Sequence, residues 1–258
     1  GLLGNLSDYL KSIEINNEML FYASKMKLPI EIGSIEIQLG LKSANDKLSL
    51  NHILRDIIAQ AKLEEPNYDT YNRVLDLFDE YRMGNGRFLL DVLLDTVDKD
   101  IFERSYQSEM LLFNEHFYNG KIVSFEHLEE ILEYYALIQN DDKVFDLPWQ
   151  ELFEFDDVGL VDLNHASYEV LKYLFPQGNL SALKTISNHL KWYETLEDLP
   201  FDSVFTKTVK GVHYGINVDI QSSLLQADFE VKRDEFEGVF SFFKTMGKNS
   251  KIFNIKIK

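Results

Sequence analysis

Four aspartates in one short segment are the residues of this chain best suited to bind a cation. Asp91, Asp95 and Asp98 recur at i, i+4 and i+7, which places them on one face of a helix. Asp100 follows just beyond the end of that helix. Carboxylate oxygens are the ligands that calcium prefers, and a bound divalent ion relieves the repulsion between like charges. We expect Asp95, Asp98 and Asp100 to form an acidic pocket that binds calcium weakly, with a solvated helix face as the alternative.

The rest of the sequence offers no comparable catalytic or cofactor chemistry. There is no cysteine, so neither a disulfide nor a thiolate zinc site is available. The six histidines are scattered, and no two lie three or four positions apart, as zinc ligands on a helix do. Gly84 and Gly86 lack the lysine of a phosphate-binding loop. We therefore expect a protein that is not an enzyme and whose single candidate cofactor is calcium.

Composition restricts the class of partner. The 258 residues are 45% hydrophobic, which is enough to bury one or two full cores. The 26 basic and 43 acidic side chains give a formal charge of -17, which repels phosphate backbones, so we expect no nucleic acid ligand. No apolar run approaches the roughly 20 residues that cross a bilayer. Because the chain begins at Gly1 without a methionine, we expect a fragment of a longer protein.

The first 27 residues have apolar side chains at helical spacing and predict one long amphipathic helix. Its first half carries a stripe made of Leu2, Leu3, Leu6, Leu10 and Ile13. Pro29 ends the helix, so only the later half can pack on the strands that follow. We expect the stripe to be exposed and to bind partner proteins, because exposed apolar surfaces of this kind mark interaction sites.

Beyond this helix, the spacing of the apolar residues changes twice along the chain. Residues 30–50 alternate as strands. Residues 52–199 follow a helical period, with helices at 52–63, 69–82, 87–99, 125–139, 168–175 and 180–192, and Ser124 and Ser167 are the expected N-terminal caps of two of them. The alternation returns at Val212 and continues to the C-terminus as an antiparallel meander with a turn at 247–249. The early strands are too few to form a sheet alone, so they must pair with the last ones. This predicts an α+β fold. An N-terminal helix and an antiparallel sheet (1–51 and 206–258) hold an inserted all-helical domain (52–205).

Several motifs resemble, in order and spacing, those of the minor pseudopilin K family of type II secretion systems. The matching segments are Asp-Lys-Leu-Ser-Leu-Asn at 46–51, Leu-Leu-Asp-Thr-Val-Asp-Lys-Asp at 93–100, Ser-Phe-Glu-His-Leu at 124–128, and 162–171. The resemblance covers nearly the whole chain. It implies a structural subunit at the tip of the pseudopilus, with an α/β pilin domain that carries a helical insertion.

The same resemblance implies partners and a location. It indicates a periplasmic domain anchored in the inner membrane of a Gram-negative bacterium by an N-terminal helix that precedes this fragment. The partners would be the I-type and J-type minor pseudopilins. Family members that bind calcium do so beside the aspartate-rich turn, and here residues 101–106 replace the loop that normally follows it.

Two other functions remain open from the sequence. Residues 161–171 also resemble the opening of the helix-hairpin-helix module of competence-type DNA-binding proteins, which needs a glycine-rich hairpin and basic flanks. A minor pilin of a type IV pilus would share the same overall architecture.

Overall fold

The computed structural model describes residues 2–32, 35–202, 205, 209, 211–233, 236–246 and 251–257. Its helices are α1 (Leu2–Ser12), α2 (Asn17–Ala23), α3 (Leu50–Gln60), α4 (Asp69–Glu80), α5 (Gly86–Val97), α6 (Phe125–Gln139), α7 (Trp149–Leu152), α8 (Tyr168–Leu174) and α9 (Leu180–Ser187). Its strands are β1 (Lys27–Ile32), β2 (Ile35–Ser43), β3 (Leu48–Ser49), β4 (Phe153–Glu154), β5 (Leu160–Asp162), β6 (Val212–His213), β7 (Ile216–Asp219), β8 (Leu224–Arg233), β9 (Phe236–Thr245) and β10 (Ile252–Ile257). Within these ranges, no helix has both the length and the apolar character to span a membrane.

A five-stranded antiparallel sheet joins the two ends of the chain in the order β1-β2-β8-β9-β10. In the pairing of β2 with β8, Ile37 lies opposite Val231 and Leu39 lies opposite Phe229. All four side chains are buried, because the period of two points them to the same face of the sheet. The prediction that the early strands pair with the C-terminal ones is confirmed for β2 and β8.

The N-terminal segment forms two helices, so the prediction of one long helix is wrong. The second helix begins after Asn16, whose side-chain oxygen accepts the Met19 N–H at 2.8 Å and so caps the start of α2. Lys244 of β9 donates to the carbonyl oxygens of Leu10 and Ile13 at 2.9 and 2.7 Å, which satisfies the end of α1. Both helices therefore lie against the sheet.

The helices between β2 and β8 surround a separate hydrophobic core. The four helices predicted between 52 and 139 are confirmed as α3, α4, α5 and α6. α5 is the central one, because every residue in it except Arg87 is buried. The two predicted helices that follow, 168–175 and 180–192, are confirmed as α8 and α9, although α9 ends at Ser187.

The strands from Val212 to Asp219 do not join the C-terminal meander as predicted. β7 pairs in parallel with β5, placing Val161 opposite Val218, and β6 pairs with β7. Alternation predicts a strand but not its partner, and Ile216 is buried in the core of the helical region. The chain leaves the five-stranded sheet at Ser43 and re-enters it at Leu224, while the domain boundaries at 51/52 and 205/206 stay predictions. The turn predicted at residues 247–249 lies outside the described residues.

Candidate functional site

The predicted acidic pocket lies where α5 ends, and an arginine occupies it. Asp95 is fully buried in the last turn, and Asp98 follows as the C-terminal cap with an extended backbone. Arg104 places its Nε 3.0 Å from Asp95 Oδ1 and a terminal nitrogen 2.6 Å from Asp98 Oδ2. One guanidinium therefore forms ion pairs with two carboxylates and offsets one of their two charges.

Further hydrogen bonds fasten the following loop to Asp95. The second carboxylate oxygen of Asp95 accepts the Arg104 backbone N–H at 3.0 Å and the Ser108 hydroxyl at 2.6 Å. Glu109 is also buried, and its Oε1 accepts the Leu111 N–H and the Asn119 amide, each at 3.0 Å. Asp95 therefore holds Arg104 and Ser108 of the loop that follows α5, and Glu109 holds Leu111 and Asn119.

Burial dominates the electrostatics of this turn. It raises the pKa of Asp95 to about 6, although the hydrogen bonds from Ser108 and Arg104 and the guanidinium charge favour the carboxylate. Burial likewise raises the pKa values of Asp91 and Asp98. The alternative of a solvated helix face is wrong for Asp91 and Asp95, because α5 is enclosed by other helices.

The arrangement does not fit a bound metal while Arg104 is in place. Asp100 is exposed and accepts the Phe102 N–H at 2.9 Å, so its carboxylate completes a local turn. Among the described residues, no three acidic or histidine side chains converge as metal ligands. Calcium binding at Asp95, Asp98 and Asp100 stays a prediction that requires displacement of Arg104. The sequence prediction missed this arginine because it lies nine positions beyond Asp95 in a loop.

The predicted partner-binding stripe is turned towards the protein's own sheet. Leu6 and Leu10 are completely buried against β2, β8 and β9, and Leu2 and Ile13 are partly buried beside them. The side chain of Leu3 lies outside the described residues. The expectation of an exposed stripe is therefore wrong for Leu6 and Leu10, because the break after Ser12 lets α1 fold back onto the sheet.

The outward face of these helices carries different apolar side chains. Tyr9 on α1 and Met19 and Tyr22 on α2 are exposed. Exposed aromatic and methionine side chains are typical of protein interaction surfaces. These three residues, which we call the outer face, are the better candidates for docking a partner helix.

A buried polar network joins the sheet to the helical region. The Asp162 backbone N–H donates to the Asn45 carbonyl at 2.8 Å, and the Asp162 carboxylate accepts the Ser222 hydroxyl at 2.5 Å. Ser222 also contacts the Ser43 hydroxyl at 2.6 Å, and its backbone N–H donates to Asn17 of α2 at 2.9 Å. The network thus links four segments that are far apart in sequence.

The second half of the network centres on Asn164. Its amide donates to the carbonyls of Tyr193 and Ile220, each at 2.9 Å, and its side-chain oxygen accepts the Tyr193 N–H at 3.0 Å. Burial raises the pKa of Asp162 to about 7 and lowers the pKa of the neighbouring His165 to about 4. We interpret Asp162, Ser222 and Asn164 as a structural link, because the side chain of each forms hydrogen bonds with other segments of the protein.

The whole chain can be compared with known structures. It superposes on a chain of the crystal structure of the GspK-GspI-GspJ complex from the enterotoxigenic Escherichia coli type 2 secretion system, with a TM-score of 0.62. The match covers 96% of this chain and 88% of that chain at 12% sequence identity. The chain has a pseudopilin-like fold. No family model matches the sequence, and no curated protein matches it.

The N-terminal helices and the five-stranded sheet share one core. Leu6, Leu10 and Leu20 of the helices pack with Phe229 and Phe242 of the sheet. The acidic turn follows α5, whose apolar residues belong to the separate core of the helical region. The two predicted sites are therefore parts of different structural units.

Proposed function

We propose that this chain is a minor pseudopilin of a type II secretion system that stands at the tip of the pseudopilus with the I-type and J-type minor pseudopilins. The observation that carries the proposal is the extent of the structural match. It includes 96% of this chain, so the sheet, the terminal helices and the helical region all take part. A match confined to the sheet would have been compatible with many small α+β proteins.

The position of the helical region supports the K type in particular. The chain leaves the sheet at Ser43 and returns at Leu224, and about 180 residues lie between these points. An insertion of this size is what the resemblance to the K family implies. Its bulk would prevent another subunit from adding above it, so the chain would cap the filament.

The proposed role is structural. The binding surfaces described above are faces for proteins, and the role requires neither catalysis nor a cofactor. We propose that the domain lies in the periplasm of a Gram-negative bacterium, attached to the inner membrane by a helix N-terminal to Gly1. Partner helices would pack on the outer face, because Met19 and Tyr22 are exposed there beside the sheet core.

Co-expression tests the proposal. The chain should form a stable complex with the I-type and J-type minor pseudopilins of the same bacterium, measured by co-purification and by light scattering after size exclusion. Substituting Met19→Glu together with Tyr22→Glu should abolish the complex, since two charges would be buried without partners. Failure of the unmodified chain to associate with either partner would contradict the proposed function.

A matched control separates surface docking from general charge effects. Leu63 and Leu190 are exposed on the helical region, so Leu63→Glu with Leu190→Glu adds the same charge elsewhere. The control variant should still form the complex. If the Met19 and Tyr22 variant also binds unchanged, the outer face is not the docking element.

The alternative function is a minor pilin of a type IV pilus. It would be favoured if the genes beside this one encode pilus proteins and not components of a secretion system.

A further inference from the structure

The loop that follows α5 exposes large apolar side chains to solvent. Phe102 and Tyr106 are 79% and 80% exposed, and Phe113 is 57% exposed. Leu137 on α6 is 79% exposed. Single exposed apolar residues are ordinary, but several in one loop are not.

Tyr134 of α6 holds part of this loop against the helix. Its hydroxyl donates to the Gln107 carbonyl at 2.8 Å, which brings the chain next to Tyr106 against the helix. Its ring stacks on Phe113 with the ring centroids 6.5 Å apart. Leu137 lies one helical turn further along the same face of α6. We call Phe102, Tyr106, Phe113, Tyr134 and Leu137 the aromatic surface.

The aromatic surface is held in place by the acidic turn. Arg104 lies between Phe102 and Tyr106 in sequence, and its ion pairs with Asp95 and Asp98 fix the loop to the end of α5. Glu103 accepts the Gln107 N–H at 2.8 Å across the same turn. A loop that is already ordered loses less conformational entropy when it binds a partner, so this surface is preorganised.

Carboxylates neighbour the residues of the aromatic surface in the sequence. Asp100, Glu103, Glu130 and Glu133 are all exposed along the loop and along α6. Glu130 is held by the Asn114 amide, which donates to it at 3.1 Å from the residue after Phe113. An apolar centre with a charged rim is the usual composition of a protein interface, and the sign of the rim selects the partner.

We propose that the aromatic surface is a docking site for a basic protein segment, one that presents aliphatic or aromatic side chains between lysines and arginines. Nucleic acid and anionic lipid would be repelled by the acidic rim, and a second copy of this chain carries the same net charge of -17. The proposal goes beyond the minor pseudopilin function. It does not depend on it, because the residues of the aromatic surface lie between β2 and β8, whereas the outer face lies on α1 and α2.

Labelled amphipathic peptides provide the test. One helical peptide combines leucine with lysine, a second has glutamate in place of lysine, and a third has alanine in place of leucine. Fluorescence anisotropy should detect binding of the leucine-lysine peptide to the intact chain and little binding of the other two. Phe102→Ser, Tyr106→Ser and Phe113→Ser together should weaken that binding about tenfold or more, because aromatic anchors dominate interface energies.

The control variant removes exposed apolar side chains from other places, as Leu63→Ser, Leu180→Ser and Leu190→Ser. It should bind the leucine-lysine peptide as the parent does. Equal affinity of all three proteins, or equally tight binding of the alanine-lysine peptide, would overturn the proposal. So would a dimer of the parent in sedimentation velocity that the aromatic-surface variant loses, because a second copy would then be the occupant.

Discussion

Glu154 on β4 shows how strongly burial alters a single side chain in this protein. One of its carboxylate oxygens has no hydrogen-bond partner in the described part of the chain. Burial, and then the nearby Asp156 and Asp46 carboxylates, raise the pKa of Glu154 to about 9. The folded state therefore holds a proton that the unfolded state releases at lower pH. The stability that this proton contributes is lost as the pH rises from 4.5 to about 9.

We expect Glu154→Gln to stabilise the protein at mildly alkaline pH. Glutamine keeps the shape of protonated glutamic acid but cannot ionise, so the variant should gain about 2 to 4 kcal/mol at about pH 8 and little at about pH 4. Urea unfolding of both proteins at the two pH values measures the difference. Glu151→Gln on α7 alters an exposed glutamate and is the control. An equal gain at both pH values would show that the effect does not come from ionisation.

A second prediction concerns calcium and Arg104. Replacing Arg104 with alanine removes the cation that pairs with Asp95 and Asp98, so calcium should then raise the melting temperature more than it does for the parent. The measurement is thermal unfolding with and without about 5 mM calcium, well above a micromolar dissociation constant. Arg104→Ala with Asp98→Ala should abolish the response. A larger shift for the parent than for Arg104→Ala would show that the arginine does not compete with the metal.

The roles of individual residues could be predicted where the two interacting groups lie close together in the sequence. Ser124 and Ser167 were predicted as N-terminal caps, and each hydroxyl accepts a backbone N–H three residues later. Asp95 was identified by its type and spacing. Arg104 was not, because its contact with Asp95 depends on the path of an irregular loop that no period describes.

At the scale of elements, the N-terminal helices show that helical spacing predicts an apolar face but not the surface on which that face packs. The spacing of Leu6 and Leu10 predicts an apolar face, and the structure places that face on the sheet and not on a partner. The difference arises at residues 13–16, where the chain turns and Asn16 starts a new helix. The alternation of apolar residues likewise predicted the strand at Ile216–Asp219. It did not predict that this strand pairs with β5, because alternation carries no information about the partner strand.

We expect Leu6→Glu with Leu10→Glu to disrupt the terminal helices and the sheet core. Both side chains are fully buried, and burying two charges among apolar groups costs several kcal/mol. Far-UV circular dichroism and thermal unfolding should show lost structure and a lower melting temperature even without partner proteins. Tyr9→Glu with Tyr22→Glu changes exposed residues on the same helices and should leave the melting temperature nearly unchanged. A Leu6 and Leu10 variant as stable as the parent would contradict the packing described here.

At the scale of the whole molecule, the described residues form two hydrophobic cores that meet at a polar junction. One core is formed by residues of the terminal helices and the five-stranded sheet, and the other by residues between β2 and β8. Asp162 and Ser222 hydrogen-bond at the junction, and Phe21 of α2 packs on His165 and Trp192 across it. Length and composition left the number of cores at one or two, and the polar junction could not be predicted, because it joins segments distant in sequence.

The last prediction is that the sheet unit folds without the helical region. Ser43 lies opposite Leu225, and the Ala44 N–H donates to the Leu224 carbonyl at 2.9 Å, so the strand ends are already spaced as in a hairpin. Replacing residues 45–223 with Asn-Gly supplies the two-residue turn that such a hairpin favours. The shortened chain should keep its sheet and terminal helices, because their core contains no residue from the removed segment.

Its melting temperature should nevertheless be lower than that of the full chain. Phe21 loses its contacts with His165 and Trp192, and a smaller domain buries a smaller fraction of its surface. Circular dichroism and amide hydrogen exchange measure the result, with cooperative unfolding and protected amides in β2 and β8 expected. The same shortened chain carrying Leu6→Glu and Leu10→Glu should lose both signals. A shortened chain that unfolds without cooperativity would show that the sheet depends on the helical region, because the junction would then contribute more to its stability than its own core does.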